Sequence, residues 1–450
     1  MHDRPRTGNY APDFTFGVTL ALLLGGLAGP AGAQSLSLRD LLPDFVAQGI
    51  TLARPVVGTN HEAHFFGDIV ESGGALQQLN SELSNQLSTF PLTSSAGGFA
   101  YSFDPQLGVF NRQTTSFGPI YSERALTIGK GKFNFGMNYS TFTFNRLDGL
   151  SLDNGEVKLV FRHQDTNNDG SNLQPFVEGD LITADLYMDL QSQVTACVAT
   201  YGVDDRLDIG MAVPIVSVDI DLSASASVLR LATADTLQET HRFPNGTDHQ
   251  TYARNGHAAG LGDVAFRGKY RVLRGERSTL AFSGELRLPT GESRNLLGTG
   301  AVQFTGGVVA SLTRNGVSPH ATLAYELADR NIPDQFTYTA GLDWAVDPRM
   351  TVACDLIGRY ERNVPEFQVT DKTYRANQNS DPTGPVQLVS RDVPGLNSTS
   401  GQNRNRLDGA VGMKINVVHN LLLTMNGLFS LTRTGLSDGF TPLVGLDYSF

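Results

Sequence analysis

Long apolar runs are nearly absent from this sequence of 450 residues. Beyond the N-terminal segment, no stretch reaches the roughly 18 uninterrupted apolar residues that a membrane-spanning helix needs. The mean hydropathy of -0.16 resembles that of a soluble protein. It does not exclude a membrane β-barrel, because only alternate residues of each barrel strand meet lipid. Two classes therefore remain, a soluble protein of two or three domains or one large barrel.

Cysteine and positive charge are also scarce. Cys197 and Cys354 fall in separate predicted strands, with Cys197 predicted to face the interior and Cys354 the lipid, so no disulfide is expected. The formal net charge is -11 and no stripe of Lys and Arg occurs, which argues against nucleic acid as a partner.

Residues 1–33 have the pattern of a secretory signal peptide. Arg4 and Arg6 give a positive start, residues 16–28 form a short apolar core, and residues 31–33 are a small-residue cleavage site. The sequence therefore predicts export, with removal of residues 1–33.

From about residue 99 onward, apolar and polar residues alternate. In 440–450 nearly every second residue is apolar, and a period of two places the two sets on opposite faces of a strand. A last strand ending on Phe450 is typical of outer-membrane barrels and predicts the barrel-assembly machinery as a partner. Around Pro214 the apolar parity flips, which predicts a bulge. The predicted strands are 99–112, 131–147, 155–164, 180–201, 205–222, 260–274, 278–290, 300–314, 318–330, 335–347, 350–363, 405–418, 420–434 and 438–450.

The predicted connections alternate between short and long. Gly202–Asp204 and Pro348–Arg349 are brief, whereas 223–259 and 364–404 are long. This alternation is typical of an outer-membrane barrel with both chain ends in the periplasm. The sequence therefore predicts an all-β fold, a closed antiparallel transmembrane barrel of about 14 strands, with 12 as the alternative, over residues 99–450.

Residues 34–98 precede the barrel as a short helical or irregular segment. Leu76, Leu79, Leu83 and Leu87 have helical spacing, and Pro91 ends the stretch. Two alternatives stay open: a plug or rim helix of the barrel, and a loosely ordered periplasmic leader.

Four short motifs at fixed separations resemble the outer-membrane barrel family of phenol-degradation meta-pathway proteins. The resemblance extends over roughly residues 120–450, with 364–404 as an unmatched insertion, and is more distant to channels for fatty acids and aromatic hydrocarbons. It implies fourteen strands, an N-terminal plug and passive passage of a small hydrophobic or aromatic solute. The motifs are Gly260–Val264, Lys269–Arg271, Leu288–Glu292 and Leu297–Gly300, and Tyr201–Gly210 resembles a hairpin of the same family.

Charged residues on the polar parity of their strands are predicted to line the lumen. Rings of such charges set the selectivity of some pores, whereas a network of paired charges would fill the barrel, and both alternatives remain open. These residues are Asp185, Asp189, Asp263, Arg267, Lys269, Arg271, Glu285, Arg287, Asp343, Arg359, Lys414 and Asp447, with Asp355, Glu361 and Asp408 as further positions.

Metal and cofactor signals are weak. Asp165, Asn167 and Asp169 match the first half of a calcium loop, but Phe176 replaces the chelating Glu, so a polar turn is the stronger interpretation. No cofactor is predicted. The histidines of the loop 223–259 match no zinc motif and are predicted to be surface residues; they are His241, His249 and His257.

The sequence thus predicts an outer-membrane channel of a Gram-negative bacterium, with lipid and a small solute as partners. Two other functions stay open: a barrel enzyme of the lipase or protease type, and a structural barrel that transports nothing.

Overall fold

The fold is seen in a computed structural model. It describes residues 37–49, 51–53, 65, 70–89, 91, 93–95, 98–104, 109–165, 173, 178–232, 241–328, 332–379 and 384–450. The predicted signal peptide therefore lies outside the described residues. Within the described residues, no helix has the length and apolar character needed to cross a bilayer.

The described residues form antiparallel strands and a few short helices. The helices are α1 Leu38–Asp44, which continues as a π-helical turn Phe45–Gly49, α2 Val70–Leu87, and a 3₁₀ turn Ser293–Asn295. The strands are β1 Tyr101–Asp104, β2 Val109–Arg112, β3 Phe133–Leu147, β4 Leu150–Ser151, β5 Val157–Arg162, β6 Leu181–Gly202, β7 Leu207–Leu229, β8 His249–Leu261, β9 Val264–Arg274, β10 Ser278–Leu288, β11 Gln303–Leu312, β12 Val317–Ala328, β13 Gln335–Asp347, β14 Met350–Asn377, β15 Leu388–Val418, β16 Leu421–Ser430, β17 Leu436–Asp438 and β18 Thr441–Ser449.

Twelve strands close into a ring. The order is β3, β6, β7, β9 through β16 in sequence, then β18, which returns to β3. Phe135 of β3, for example, pairs with Ala199 of β6 on one side and with Tyr448 of β18 on the other. Closure leaves no unpaired ring edge, as a sheet in hydrocarbon requires. We call the end of the ring that holds Phe133 and Phe450 the lower end, and the opposite end the upper end.

The predicted count of fourteen strands is wrong, and the alternative of twelve is supported. The predicted strand 99–112 is a separate hairpin, β1–β2, outside the ring. The predicted strand 155–164 contains β5, which among the described strands pairs with the upper part of β6 alone. A period of two identifies a strand, but it carries no information about which neighbour that strand joins.

The outer surface of the lower barrel is an apolar belt. Large outward side chains are exposed on every side of the ring, including Phe282 at 54%, Leu323 at 56%, Trp344 at 50% and Val444 at 50%. Between them, inward polar residues are buried, as the pattern of alternating exposure along β18 illustrates. The alternation therefore places apolar residues outside and polar residues inside throughout the belt.

The two faces exchange their character above the belt. The row Tyr139, Thr195, Ile215 and Leu261 is joined by direct pairing across β3, β6, β7 and β8. Above it, residues of β6 and β7 are polar outside and apolar inside, like a soluble protein.

The predicted bulge at Pro214 is wrong. The β6–β7 register is continuous through Pro214, and inward and outward positions alternate without a break. Apolar residues change faces there because the strand leaves the belt, so its outer side no longer needs to be apolar. The same register places Cys197 on the outer face, not in the interior as predicted, while Cys354 is on the outer face as predicted; both are free.

The upper ends of several strands form a collar above the belt. The predicted loop 364–404 is mostly the extended hairpin of β14 and β15, and 223–259 contains the end of β7 and most of β8. Apolar side chains of this collar pack with α1 and α2 in one buried cluster that includes Leu79, Leu186 and Leu222.

The belt predicts unequal effects for two arginine substitutions on the outer face. Val308→Arg, at the middle of β11, should lower the free energy of unfolding in lipid vesicles by about 2–4 kcal/mol, because the charge would enter hydrocarbon. Ser225→Arg, outward on β7 above the belt, is the matched control and should change it little. Urea unfolding in vesicles measures both, and equal losses would contradict the belt.

Candidate solute pathway

The helix α2 fills the upper interior of the barrel. Its predicted apolar face is confirmed, because Leu76, Leu79, Leu83 and Leu87 are all buried in the cluster that also contains inward residues of β6 and β7. Helix α1 packs against β8, where a side-chain carbon built on Gly256 would lie 2.6 Å from Leu38. The described helices of the segment 34–98 thus pack against inward residues of the barrel wall.

A cluster of arginines and carboxylates fixes α2 to the wall. Arg404 of β15 donates to Glu82 of α2 at 2.5 Å and to Glu361 of β14 at 2.6 Å. Two residues further along β15, Arg406 donates to Gln86 of α2. Burial raises the pKa of Glu82, and neighbouring Glu361 adds to this, while Arg404 opposes it; the net shift is upward. We call these five residues the helix latch.

An irregular segment crosses the lower interior. Residues 113–132, the strap, bind wall side chains mainly through backbone N–H groups. Phe117 donates to Thr351 at 2.9 Å, Ala125 to Ser311 at 2.8 Å. These acceptors lie on β14 and β11, so the strap is held on more than one side of the ring.

Charged wall residues hold the strap at further points. Asp355 of β14 accepts from the N–H groups of Tyr121 and Ser122 at 3.2 and 3.4 Å. Asp208 of β7 accepts from Ile128 at 3.1 Å. Lys414 donates to the Pro119 carbonyl oxygen at 2.6 Å. The wall thus satisfies backbone groups that no secondary structure of the strap satisfies.

Glu123 is the strap's main charged anchor. It accepts from the N–H of Ser95 at 2.5 Å and its Oε2 lies 3.4 Å from Nζ of Lys269. Burial raises the pKa of Glu123, but Lys269, Arg267 and the bonds from Ser95 lower it by more, so the net shift is downward. The carboxylate is therefore stabilised in its ionised form.

A buried histidine links three wall strands beneath the strap. His320 of β12 lies between Asp355, at 2.8 Å from Nε2, and Asp343 of β13, at 3.3 Å from Nδ1. All three side chains are almost fully buried. The sequence analysis missed His320, although its parity on the predicted strand 318–330 places it on the inner face, the same face as both aspartates.

Other contributors missed from the sequence are Glu82, Gln86, Glu123, Arg404 and Arg406. The inward parity of the β15 arginines is a usable signal, because both lie on the face opposite Asn405 and Leu407. Glu123 lies in a segment without periodicity, so no sequence signal marks it.

Two cavities lie along the interior. The mouth cavity, of about 590 Å³, lies at the upper side between α2 and residues 362–365. The lumen cavity, of about 230 Å³, lies between the strap, residues 93–95 and the inner faces of β9 to β13. Glu82 of the helix latch lines the mouth cavity.

Most of the charges predicted to line the lumen are placed on the inner face. Many pair there: Glu285 binds Arg267 at 2.8 Å and Arg287 at 3.0 Å, and Arg359 binds Asp408 at 2.6 Å. The arrangement is closer to a paired network than to a ring of one sign. The inward positions are Asp263, Arg267, Lys269, Arg271, Glu285, Arg287, Asp343, Arg359, Lys414 and Asp447.

The predicted lumen positions of Asp185 and Asp189 are wrong. Both are on the outer face of the collar, where Asp185 pairs with Lys158 at 2.8 Å and its side chain is 42% exposed. Their inward neighbours are Leu186 and Met188, which are buried. The two aspartates share one face of the strand, as expected. Above the belt, however, the inner face is apolar and the outer face is exposed to water, so the polar residues lie outside.

Asp263, in the motif Gly260–Val264, binds residues of the two later motifs Leu288–Glu292 and Leu297–Gly300. These bonds explain why the three motifs occur together at fixed separations. Asp263 accepts from the N–H of Gly291 at 3.0 Å and from the N–H and hydroxyl of Thr299 at 2.7 and 2.8 Å. Asp263 thereby fixes the loop between β10 and β11 beside the junction of β8 and β9.

The histidine and metal predictions have mixed outcomes. His249 and His257 are exposed as predicted, whereas His241 is fully buried and binds Asp180 at 2.9 Å, so its surface prediction is wrong. Asn167 and Asp169 of the weak calcium loop lie outside the described residues, and among those described no group of His, Cys, Asp and Glu is arranged to hold a metal ion.

Comparison with known proteins gives one family match. The model of the family described as "Putative MetA-pathway of phenol degradation" matches residues 166–417, more than half of the chain. No curated protein matches the chain.

Solved structures similar to this chain are distant. An outer membrane channel from Pseudomonas putida F1 is 13% identical over 72% of this chain and 98% of its own, with a TM-score of 0.40. A FadL homologue of Pseudomonas aeruginosa is 12% identical over 72% and 89%, with a TM-score of 0.27. The toluene transporter TbuX of Ralstonia pickettii is 12% identical over 71% and 89%, with a TM-score of 0.25.

The helix latch predicts that Arg404→Ala loosens α2. The change leaves the carboxyl groups of Glu82 and Glu361 without their shared cation, and removal of one member of a buried ion pair costs about 3–5 kcal/mol. Hydrogen exchange should then speed up in α2 and much less in β11. Arg391→Ala, exposed on the same strand, is the control; unchanged α2 exchange in Arg404→Ala would refute the latch.

Glu123 predicts an acid-dependent loss of stability. The pKa of Glu123 in the folded protein lies below the ordinary value of 4.5. The ionised side chain therefore stabilises the fold above pH 4.5, and this stabilisation is lost as the pH falls from 4.5 to the lower pKa of the folded state. The unfolding midpoint of the wild type should drop more between pH 7 and pH 3 than that of Glu123→Gln. Glu276→Gln, in an exposed turn, should behave like the wild type.

Proposed function

This chain belongs to the family of the MetA pathway of phenol degradation, as its motifs predict, and we propose that it is an outer-membrane channel for passive passage of a small solute. The observation that carries the proposal is a closed ring with an apolar outer belt, whose interior is filled by α2 and the strap, which bind the wall largely through wall side chains. Such segments can be displaced without breaking the wall.

The solute in this proposal is hydrophobic or aromatic. Support comes from the upper interior, where α1, α2 and the collar present apolar side chains such as Phe142, Met188 and Leu222. The family description, which concerns phenol degradation, supports the same class. The solute moves down its own gradient, and the proposal involves no cofactor and no covalent step.

The proposal places the belt in the outer membrane, with the lower end in the periplasm. Export would use residues 1–33, and the barrel-assembly machinery would bind the final strand through Phe450. Support for this orientation is the length of the connections, since the turns at the lower end are short and the collar is at the upper end. Lipid is then the partner of the whole outer belt.

The proposed channel is closed by the strap and α2 together. A double variant, Ser311→Ala with Thr351→Val, removes two wall acceptors of the strap and should raise the conductance of the purified protein in planar bilayers. Thr143→Val, on the outer face of β3, is the control and should leave conductance unchanged.

Deletion of residues 34–98 tests the other half of the closure. It removes α1, α2 and the bond from Ser95 to Glu123, but leaves the wall acceptors of the strap. Conductance should therefore rise further when the deletion is combined with the double variant. No conductance in any of these proteins would favour the structural-barrel alternative and end the channel proposal.

A further inference from the structure

The helix α2 presents two side chains to the wall as a bound ligand would. Glu82 and Gln86 are one helical turn apart and therefore lie on one side of the helix. Glu82 accepts from Arg404 at 2.5 Å, and the side-chain oxygen of Gln86 accepts from Arg406. The Gln86 amide also donates to Glu82 at 3.2 Å. A linked carboxylate and carboxamide thus face two arginines of β15.

Arg406 has the weaker partner of the two arginines. Both arginines are 6% exposed. Arg404 binds the carboxylates of Glu82 and Glu361. Arg406, within the described part of the chain, forms no ion pair and donates to the uncharged amide of Gln86. A buried charge without an opposite charge is costly, and a carboxylate binds a guanidinium more strongly than an amide does. A carboxylate in place of Gln86 would therefore stabilise Arg406.

The charge of the wall behind α2 depends on whether the helix is in place. In the structure, Glu82 completes a group of three arginines and three carboxylates. If α2 moves away, Glu82 goes with it, and the wall retains one uncompensated positive charge. An anion that binds the wall in that state shifts the population toward it. The wall members of the group are Arg359, Arg404, Arg406, Glu361 and Asp408, with Arg359 paired to Asp408 at 2.6 Å.

The mouth cavity gives a ligand access to this group. Glu82 lines the cavity, whose volume of about 590 Å³ is within the roughly 300–1,000 Å³ of small-molecule sites. Gln86 and Arg406 line a second cavity of about 30 Å³, which holds about two waters at roughly 10–15 Å³ each. A ligand therefore reaches Glu82 first, and it binds Arg406 only as Gln86 moves away.

We infer that Arg404 and Arg406 form a binding site for a small carboxylate that also carries an uncharged hydrogen-bond acceptor, and that Glu82 and Gln86 occupy this site when α2 is in place. Such a ligand reproduces both bonds of the helix to the wall and replaces the charge that leaves with Glu82. Its binding releases α2, one of the two closing segments. The inference rests on the proposed channel function and concerns the ligand that opens the channel, not the solute that passes.

Equilibrium dialysis of the full-length, detergent-solubilised protein tests this site. The probe is succinamate, a four-carbon chain with one carboxylate and one carboxamide, and protein-free micelles are the blank. Succinamide, the uncharged diamide of the same length, should bind about tenfold more weakly because it makes no charge-assisted bond to an arginine. Succinamate should also speed up hydrogen exchange in α2 of the wild type, and not in β11.

The double variant Glu82→Ala with Gln86→Ala shows whether α2 competes with the ligand. It removes the two side chains that occupy the site and keeps both arginines, so succinamate should bind about tenfold more tightly than to the wild type. A purely structural role of Glu82 and Gln86 predicts no such gain. Ser81→Ala with Asn85→Ala is the matched control, because these residues line the mouth cavity on the same helix and should leave the affinity unchanged.

Arg406→Gln should weaken succinamate binding at least about tenfold, whereas Arg391→Gln, exposed on the same strand, should not change it. Heat-induced unfolding checks that the variants are folded, and the helix variant keeps the test independent of the folding of Arg406→Gln. Equal affinity of the wild type and the Glu82→Ala, Gln86→Ala variant, or equal binding of succinamate and succinamide, would overturn the inference. Dialysis does not require transport, so conductance without succinamate binding rejects the site alone, and binding without conductance supports the site and rejects the channel.

Discussion

The structure depends on pairing every backbone N–H and C=O group within the belt, where lipid offers no partner. β3 achieves this by pairing with β6 and β18, and the N–H of Phe450 completes the seam by donating to the Phe133 carbonyl oxygen at 2.8 Å. Closure divides each strand into an outer and an inner face. What surrounds each face then determines its composition, which is why the apolar face is outside in the belt and inside in the collar.

Much of the fold is predictable from the sequence, because a period of two needs only local information. Each of the twelve ring strands overlaps a predicted segment, although β7, β14 and β15 extend well beyond theirs, and Leu79 and Leu83 lie on the predicted helix face. The number of ring strands is not predictable in the same way, since β5 has the same periodicity as a wall strand and differs only in its long-range pairing. Asp189 illustrates a second limit. The alternation assigns it to the polar face of β6 correctly, but whether that face points inward or outward depends on where the belt ends.

Of the residues in the barrel interior, only the inward side chains of the ring strands are predictable from the sequence. Parity alone places Arg267 and Glu285 inward, where they pair across β9 and β10. The partners contributed by Glu123 and by the backbone of the strap follow no period, so their contacts with Lys269 and Asp355 appear only in three dimensions. The paired charges also give the lower interior a polar character that contrasts with the apolar collar.

The position of the strap in the chain has a consequence for assembly order. Residues 113–132 precede every wall strand, yet their acceptors Asp208, Ser311 and Thr351 belong to strands that come later. The strap therefore gains its full set of bonds only after the ring strands that carry those acceptors are in place. If the ring closes before the strap binds, assembly passes through a barrel with an empty lower interior. The lifetime of that intermediate depends on how quickly the strap binds its acceptors on the later strands.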